Sequence, residues 1–156
     1  MKMTGTVYYK KFDIGWLRLE SLDGAIIKVD YVDEAGESDA PDKVIEQCVR
    51  ELEEYFNGGR KSFDVKINPD VSGTPFQQSV WKQLRMIPYG ETISYKTLAE
   101  RISGSNYSRA VANANGKNPI SIIIPCHRVI ASNNQLGGYT GGLDRKKLLL
   151  SVEGRS

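Results

Sequence analysis

Residues 94–116 read SYKTLAERISGSNYSRAVANANG. Ser94 can cap a helix running to Ile102, because its hydroxyl accepts from a backbone N–H of the first turn. Gly104 breaks that helix, and Asn106 is placed to cap a second one over 107–115, closed by Gly116. Two short helices around a glycine-containing turn have the outline of a helix-turn-helix. The second helix is small-sided, so its backbone can approach a groove wall closely, with Arg109 projecting near its start. The plainer reading is a slim helix packed against a neighbour, and the two readings can hold on different faces.

Upstream, Thr74-Pro75-Phe76-Gln77 has the pattern of a capping box with proline at the first helical position. Phe76, Val80, Trp81 and Leu84 form the expected buried face of that helix. Pro69 to Gly73 is the expected boundary, dividing the chain into 1–73 and 74–156. The first part alternates in the manner of strands around Val7-Tyr8-Tyr9, Trp16 to Leu19 and Ile26 to Val29. Asp23-Gly24 favours a tight hairpin because both residues tolerate positive φ. A helix over 41–56 follows, with Ile45, Val49, Leu52 and Phe56 at helical spacing. Cys48 lies beside that stripe and reads as a small core residue. Phe63, Val65 and Ile67 predict one more strand.

The composition, with 40% hydrophobic and 26% charged residues, describes a globular chain. No apolar run is long enough to span a bilayer, and the first residues lack a secretory h-region. The expectation is an intracellular protein with Cys48 and Cys126 reduced. A net charge of +2 hides an asymmetry: 10 Lys+Arg against 15 Asp+Glu in residues 1–73, but 11 against 4 in residues 74–156. A basic second half suggests a polyanionic partner.

Downstream lies ISIIIPCHRVI, residues 120–130, where the chain's single histidine follows Cys126. It reads as an apolar strand stopped by Pro125. A thiol is nucleophilic as thiolate, so a base at His127 and a charge at Arg128 are chemically meaningful neighbours. Side chains of adjacent residues need not point together, and a water can bridge them. Glu153, one of few acids in the basic half, is a candidate to orient the imidazole. The Gly137-Gly138-Tyr139-Thr140-Gly141-Gly142 loop suggests the wall of a small pocket.

The run Ile124-Pro125-Cys126-His127-Arg128-Val129 resembles the active-site signature of the O6-alkylguanine-DNA alkyltransferases. The likeness continues through Phe76-Gln77-Gln78, Pro88 to Glu91, Ile93-Ser94-Tyr95, Arg109-Ala110-Val111, Asn118-Pro119, Tyr139 to Leu143 and Glu153-Gly154. It covers essentially all of residues 74–156; residues 1–73 match in layout alone. The resemblance implies an α+β fold. A small β-rich N-terminal domain with a ribonuclease H-like layout precedes a mostly helical, winged helix-turn-helix domain that carries the active site.

The activity implied is direct DNA repair: a single-turnover methyltransferase flips O6-alkylguanine out of duplex DNA and takes the alkyl group onto its own cysteine. O4-alkylthymine is a second lesion left open. By position, Cys126 is the acceptor thiol, His127 the water-mediated base and Glu153 the acid that orients it. Tyr95 donates a proton toward the leaving guanine, and Asn118 is the hinge residue. Arg109 fills the gap in the base stack. Tyr107, Ala110, Ala112, Asn113, Ser94, Lys96 and Arg128 complete the expected DNA-binding set, with Arg101 and Lys117 as phosphate contacts. Tyr139, Thr140, Val129 and Asn115 are the expected pocket residues. The resemblance implies a monomer in the cytoplasm or nucleoid (the nucleus in a eukaryote), with duplex DNA as partner, no membrane, no cofactor and no metal.

Ala112 and Asn113 stand where many relatives carry glycine, and Thr140 where serine is common. The zinc ligands of some vertebrate members are absent. Two alternatives stay beside the leading one: a non-reactive lesion sensor or winged-helix module, and a Cys-His hydrolase.

Overall fold

The computed structural model describes residues 5–131, 133 and 135–154. The chain forms two compact units. One comprises residues up to Val71 together with Pro119–Ser121; the other comprises Ser72–Asn118 and residues from Ile122 onward.

The first unit is built on an antiparallel sheet of β1 (Thr6–Phe12), β2 (Gly15–Leu22) and β3 (Ala25–Val32), in that order. The β2–β3 hairpin turns at Asp23 and Gly24, with φ of 51° and 79°, the left-handed pair that suits the strands' own twist. Helix α1 (Lys43–Phe56) packs on the sheet and is capped by Asp42, whose carboxylate accepts from Ile45 N. Leu17, Leu19, Ile26, Val29, Ile45, Cys48 and Leu52 form the core.

The strand expected over 63–67 does not form. Buried Glu51 takes the backbone N–H groups of Asp64 and Val65 at 2.9 and 3.0 Å, so only an isolated bridge from Ile67 to Ile26 remains. Ile120 makes a second such bridge to Val29.

The second unit contains α2 (Pro75–Leu84), α3 (Tyr95–Ile102), α4 (Ser108–Gly116) and α5 (Leu143–Val152). Two short parallel strands, β4 (Ile93–Ser94) and β5 (Val129–Ile130), pair within it. The capping box at the start of α2 is present in both directions, and Ser94 caps α3. Asn106 does not cap α4: Ser105–Tyr107 form a 3-10 turn, and Tyr107 holds the cap position without a side-chain bond. Trp81 Nε1 donates to Ala114 O at 2.9 Å, fastening α2 to the C-terminal part of α4.

The apolar run before Cys126 is buried but is not a strand. Ile122 turns through φ 74°, a left-handed conformation costly for a β-branched residue. Asn118 Nδ2 closes the turn by donating to Ile124 O at 2.7 Å. Cys126–Arg128 then form one 3-10 turn leading into β5.

Candidate active site

That 3-10 turn aims three consecutive side chains at different jobs. Cys126 is a free thiol, 4% exposed, on the wall of a cavity of about 350 Å³ that is also lined by Tyr95, Asn115, Gly138, Tyr139 and Thr140. Burial pushes its pKa up; hydrogen bonds from Asn118 and Tyr139 and the charge of Lys146 oppose that shift. At neutral pH the resting sulfur is the thiol, held among groups that favour the thiolate. Cys48, by contrast, is sealed in the first unit's core and pushed up to about 12 by burial.

His127 and Arg128 both turn to Glu153, at the end of α5. His127 Nε2 lies 2.7 Å from Glu153 Oε2. Arg128 reaches the same carboxylate with Nε at 2.8 Å and Nη2 at 3.1 Å, while its Nη1 donates to Ile87 O at 2.6 Å. Gly90 N donates to Glu153 Oε1 at 3.1 Å. A carboxylate so surrounded is ionised, which fixes the imidazole proton on Nε2 and leaves the Nδ1 lone pair as acceptor. Burial lowers the His127 pKa despite Glu153, so the ring is neutral. Among the described residues two buried polar side-chain atoms lack a hydrogen-bond partner, His127 Nδ1 and Asn115 Oδ1. Both residues belong to this site.

Tyr95, first residue of α3, donates its hydroxyl to Gly138 O at 3.3 Å and is hydrogen-bonded to the Asn115 side chain. Burial, then the neighbouring Cys126, raises the phenol's pKa, so it keeps its proton. Gly137 must be glycine: its φ is 70°, and a Cβ would stand 3.0 Å from Tyr95 Cε2. Thr140 Oγ1 donates to Gly116 O at 2.9 Å, tying the loop to the end of α4.

Residues 75–155 match the profile of the 6-O-methylguanine DNA methyltransferase DNA-binding domain, and residues 7–69 match that of the same family's ribonuclease-like domain. The chain belongs to this family. It is 44% identical to the methylated-DNA–protein-cysteine methyltransferase of Methanosarcina acetivorans, over 95% of this chain and 99% of that one. The namesake of Mycolicibacterium paratuberculosis is 41% identical, over 96% and 93%. Among solved structures, the Mycobacterium tuberculosis O6-methylguanine methyltransferase superposes with a TM-score of 0.86 at 38% identity, covering 97% of this chain and 94% of that one. The M. tuberculosis OGT solved in complex with DNA gives 0.83 at 41%, covering 93% and 90%.

In this methyltransferase the residues expected at DNA divide. Arg109, Ala110, Asn113, Tyr107, Lys96, Arg101 and Lys117 are exposed. Ala112 is half-buried and faces the cavity. Ser94 is occupied as a cap, its hydroxyl accepting from Thr97 N. Arg128, grouped with them from the sequence, is instead 7% exposed, with its guanidinium committed to Glu153 and Ile87. Val129 is fully buried, and its contribution is a backbone carbonyl.

That carbonyl belongs to a feature the sequence reading missed. Lys146 on α5 is completely buried, and its ammonium donates to the carbonyls of Val129 (2.7 Å), Leu136 and Gly138 (3.1 Å). Burial depresses its pKa to about 8, and the nearby Cys126 works the other way. In a run of Arg145-Lys146-Lys147 it looks like solvated charge. Its spacing from Leu149, Leu150 and Glu153 is the signal that puts it on the buried face. Among the described residues no group of three or more His, Cys, Asp or Glu can hold a metal ion, and no helix is long and apolar enough to cross a membrane.

Proposed function

We propose that this methyltransferase repairs DNA by moving the alkyl group of an O6-alkylguanine, flipped from the duplex, onto Cys126 Sγ. The observation that carries the assignment is a thiol lining an open cavity beside a neutral, glutamate-oriented imidazole whose second nitrogen is unpartnered. The Cys126 proton passes to His127 Nδ1 through a water. Sγ attacks the alkyl carbon, the C–S bond forms, and the C–O6 pair leaves on the purine. Tyr95 supplies a proton or hydrogen bond to that departing anion. Glu153 holds the ring and stabilises the imidazolium that forms. No step returns the thioether to thiol, so each molecule acts once.

Arg109 enters the space left by the extruded base, offsetting part of the few kcal/mol that unstacking costs. Tyr107, Ala110 and Asn113 share its helix, and Lys96, Arg101 and Lys117 bind phosphates without reading sequence. The protein acts as a monomer in the cytoplasm, where a nucleoid presents duplex DNA.

The test is direct. The protein is incubated with a duplex containing O6-methylguanine, digested, and the Cys126 peptide weighed. A single added methyl group at one equivalent is expected. Tight binding with an unmodified peptide would make the protein a sensor, and repeated turnover on esters would make it a hydrolase.

A further inference from the structure

The stretch Pro88 to Glu91 has no part in the steps above. It forms a tight turn: Glu91 N donates to Pro88 O at 3.1 Å, and Gly90 takes φ 81°, the left-handed value such a turn requires at its third residue. The segment running into this turn touches both members of the buried ion pair. Ile87 O accepts from Arg128 Nη1 at 2.6 Å, and the Arg128 guanidinium carbon lies 5.9 Å from the centre of the Tyr89 ring. Gly90 N donates to Glu153 Oε1 at 3.1 Å. A fourth contact goes to the backbone: the Tyr89 hydroxyl donates to Val152 O at 2.9 Å, across 63 residues of sequence.

That contact falls at a weak point. Helix α5 ends at Val152, whose carbonyl is one of the last four that find no donor inside a helix, and helix ends are where opening starts. Glu153, on which the His127 ring depends, is the next residue and the C-cap. Its carboxylate can reach the imidazole at 2.7 Å only while the backbone at 152–153 stays in place, and a charge-assisted bond that short weakens with small displacements. The Tyr89 hydroxyl ties this backbone to the same turn that supplies Gly90 N. We propose that Tyr89 is a positioning residue for alkyl transfer: by pinning the end of α5, its hydroxyl keeps Glu153 where the His127 proton stays on Nε2 and Nδ1 stays open as acceptor. This assignment rests on the alkyl-transfer reading and adds to it a residue that acts through Glu153.

Tyr89→Phe removes the hydroxyl and keeps the ring beside Arg128. The chain has a single histidine, so the ring-nitrogen NMR shifts of protein without a histidine tag report His127 alone. In wild type one ring nitrogen is expected in the protonated range and the other in the unprotonated range. In the variant the two should move toward each other as the second tautomer gains population. The single-turnover rate constant at saturating O6-methylguanine duplex should fall with them, by roughly tenfold. p-Aminophenylalanine in place of Tyr89 keeps an N–H donor there and should restore both rate and shifts. A lower melting temperature with rate and shifts unchanged makes the hydroxyl structural only and overturns the assignment. A slower rate with unchanged shifts, or one regained at higher duplex concentration, overturns it equally. Should Tyr89→Phe not fold, O-methyltyrosine in place of Tyr89 removes the same donor and is read the same way. Wild-type protein that takes no methyl group from O6-methylguanine would sink the alkyl-transfer reading itself, on which the comparison of ring shifts does not depend.

Discussion

Glu153→Gln changes one atom's identity and almost none of its volume, which makes it a clean probe of the buried network. The carboxylate receives His127 Nε2, two nitrogens of Arg128 and Gly90 N, all between 2.7 and 3.1 Å. Glutamine has one acceptor oxygen where the carboxylate has two, so its amide N–H group must face a donor. The substitution also leaves the Arg128 guanidinium, 7% exposed, with the Ile87 carbonyl and the face of the Tyr89 ring as neutral partners. Removing one member of a buried ion pair costs about 3–5 kcal/mol, chiefly the stranded charge. At roughly 2–4 °C per kcal/mol for a chain of this size, melting should fall by about 10 °C.

Thermal melts followed by circular dichroism read this directly, and the double variant sharpens it. With Glu153→Gln present, Arg128→Met removes the stranded cation, so the double variant should melt above the single one. Independent contributions would instead add. A Glu153→Gln protein melting within about 2 °C of wild type, with the second substitution purely additive, would refute a buried ionic network. Transfer should also slow, because a ring without an anionic partner is a weaker base and is less firmly oriented.

Arg109→Ala should slow transfer and weaken DNA binding while leaving the melting temperature within about 1 °C, since the side chain is exposed; stopped-flow rates and melts check this together. Gly137→Ala forces a left-handed alanine and a Cβ 3.0 Å from Tyr95, so transfer should drop with a stability loss of about 1 kcal/mol, read by urea titration. The His127 pKa is depressed in the folded protein, so the unfolded chain binds the extra proton first as pH falls. Stability should therefore be full above the ordinary histidine value of 6.5 and decline below it, with melts from pH 8 to 5 showing a smaller slope in His127→Asn. Thiol titration of native protein should modify Cys126, faster as pH rises, and leave Cys48, pushed up to about 12, unmodified until denaturant is added.

Where local chemistry decides an element, the sequence was enough to read it. Thr74 with Gln77, Ser94 and Asp23-Gly24 specify their caps and turn through neighbours no more than three residues away, and each forms. Both misread strands were undone by a side chain outside the strand itself that takes up its backbone. Val65 alternates like a strand, but its N–H is taken by Glu51, fourteen residues earlier. Ile120 to Ile124 look like a strand until Asn118 folds the segment back and Ile122 is driven to positive φ.

The site repeats this at higher stakes. Cys126, His127 and Glu153 could be named from their chemistry, but adjacency suggested that Arg128 served the thiol or the DNA. The 3-10 turn points it elsewhere, and the cation near the sulfur turns out to be Lys146, twenty residues on. Lys146 holds the Leu136 and Gly138 carbonyls against that of Val129, and Gly138 O also receives the Tyr95 hydroxyl. The pocket rim, the proton donor and the charge beside the nucleophile are therefore joined through one ammonium group. A methionine there would fill the space but take the ammonium donor from three carbonyls, leaving Gly138 O only the Tyr95 hydroxyl. It would disturb rim and phenol together, a coupling that only the folded chain makes visible.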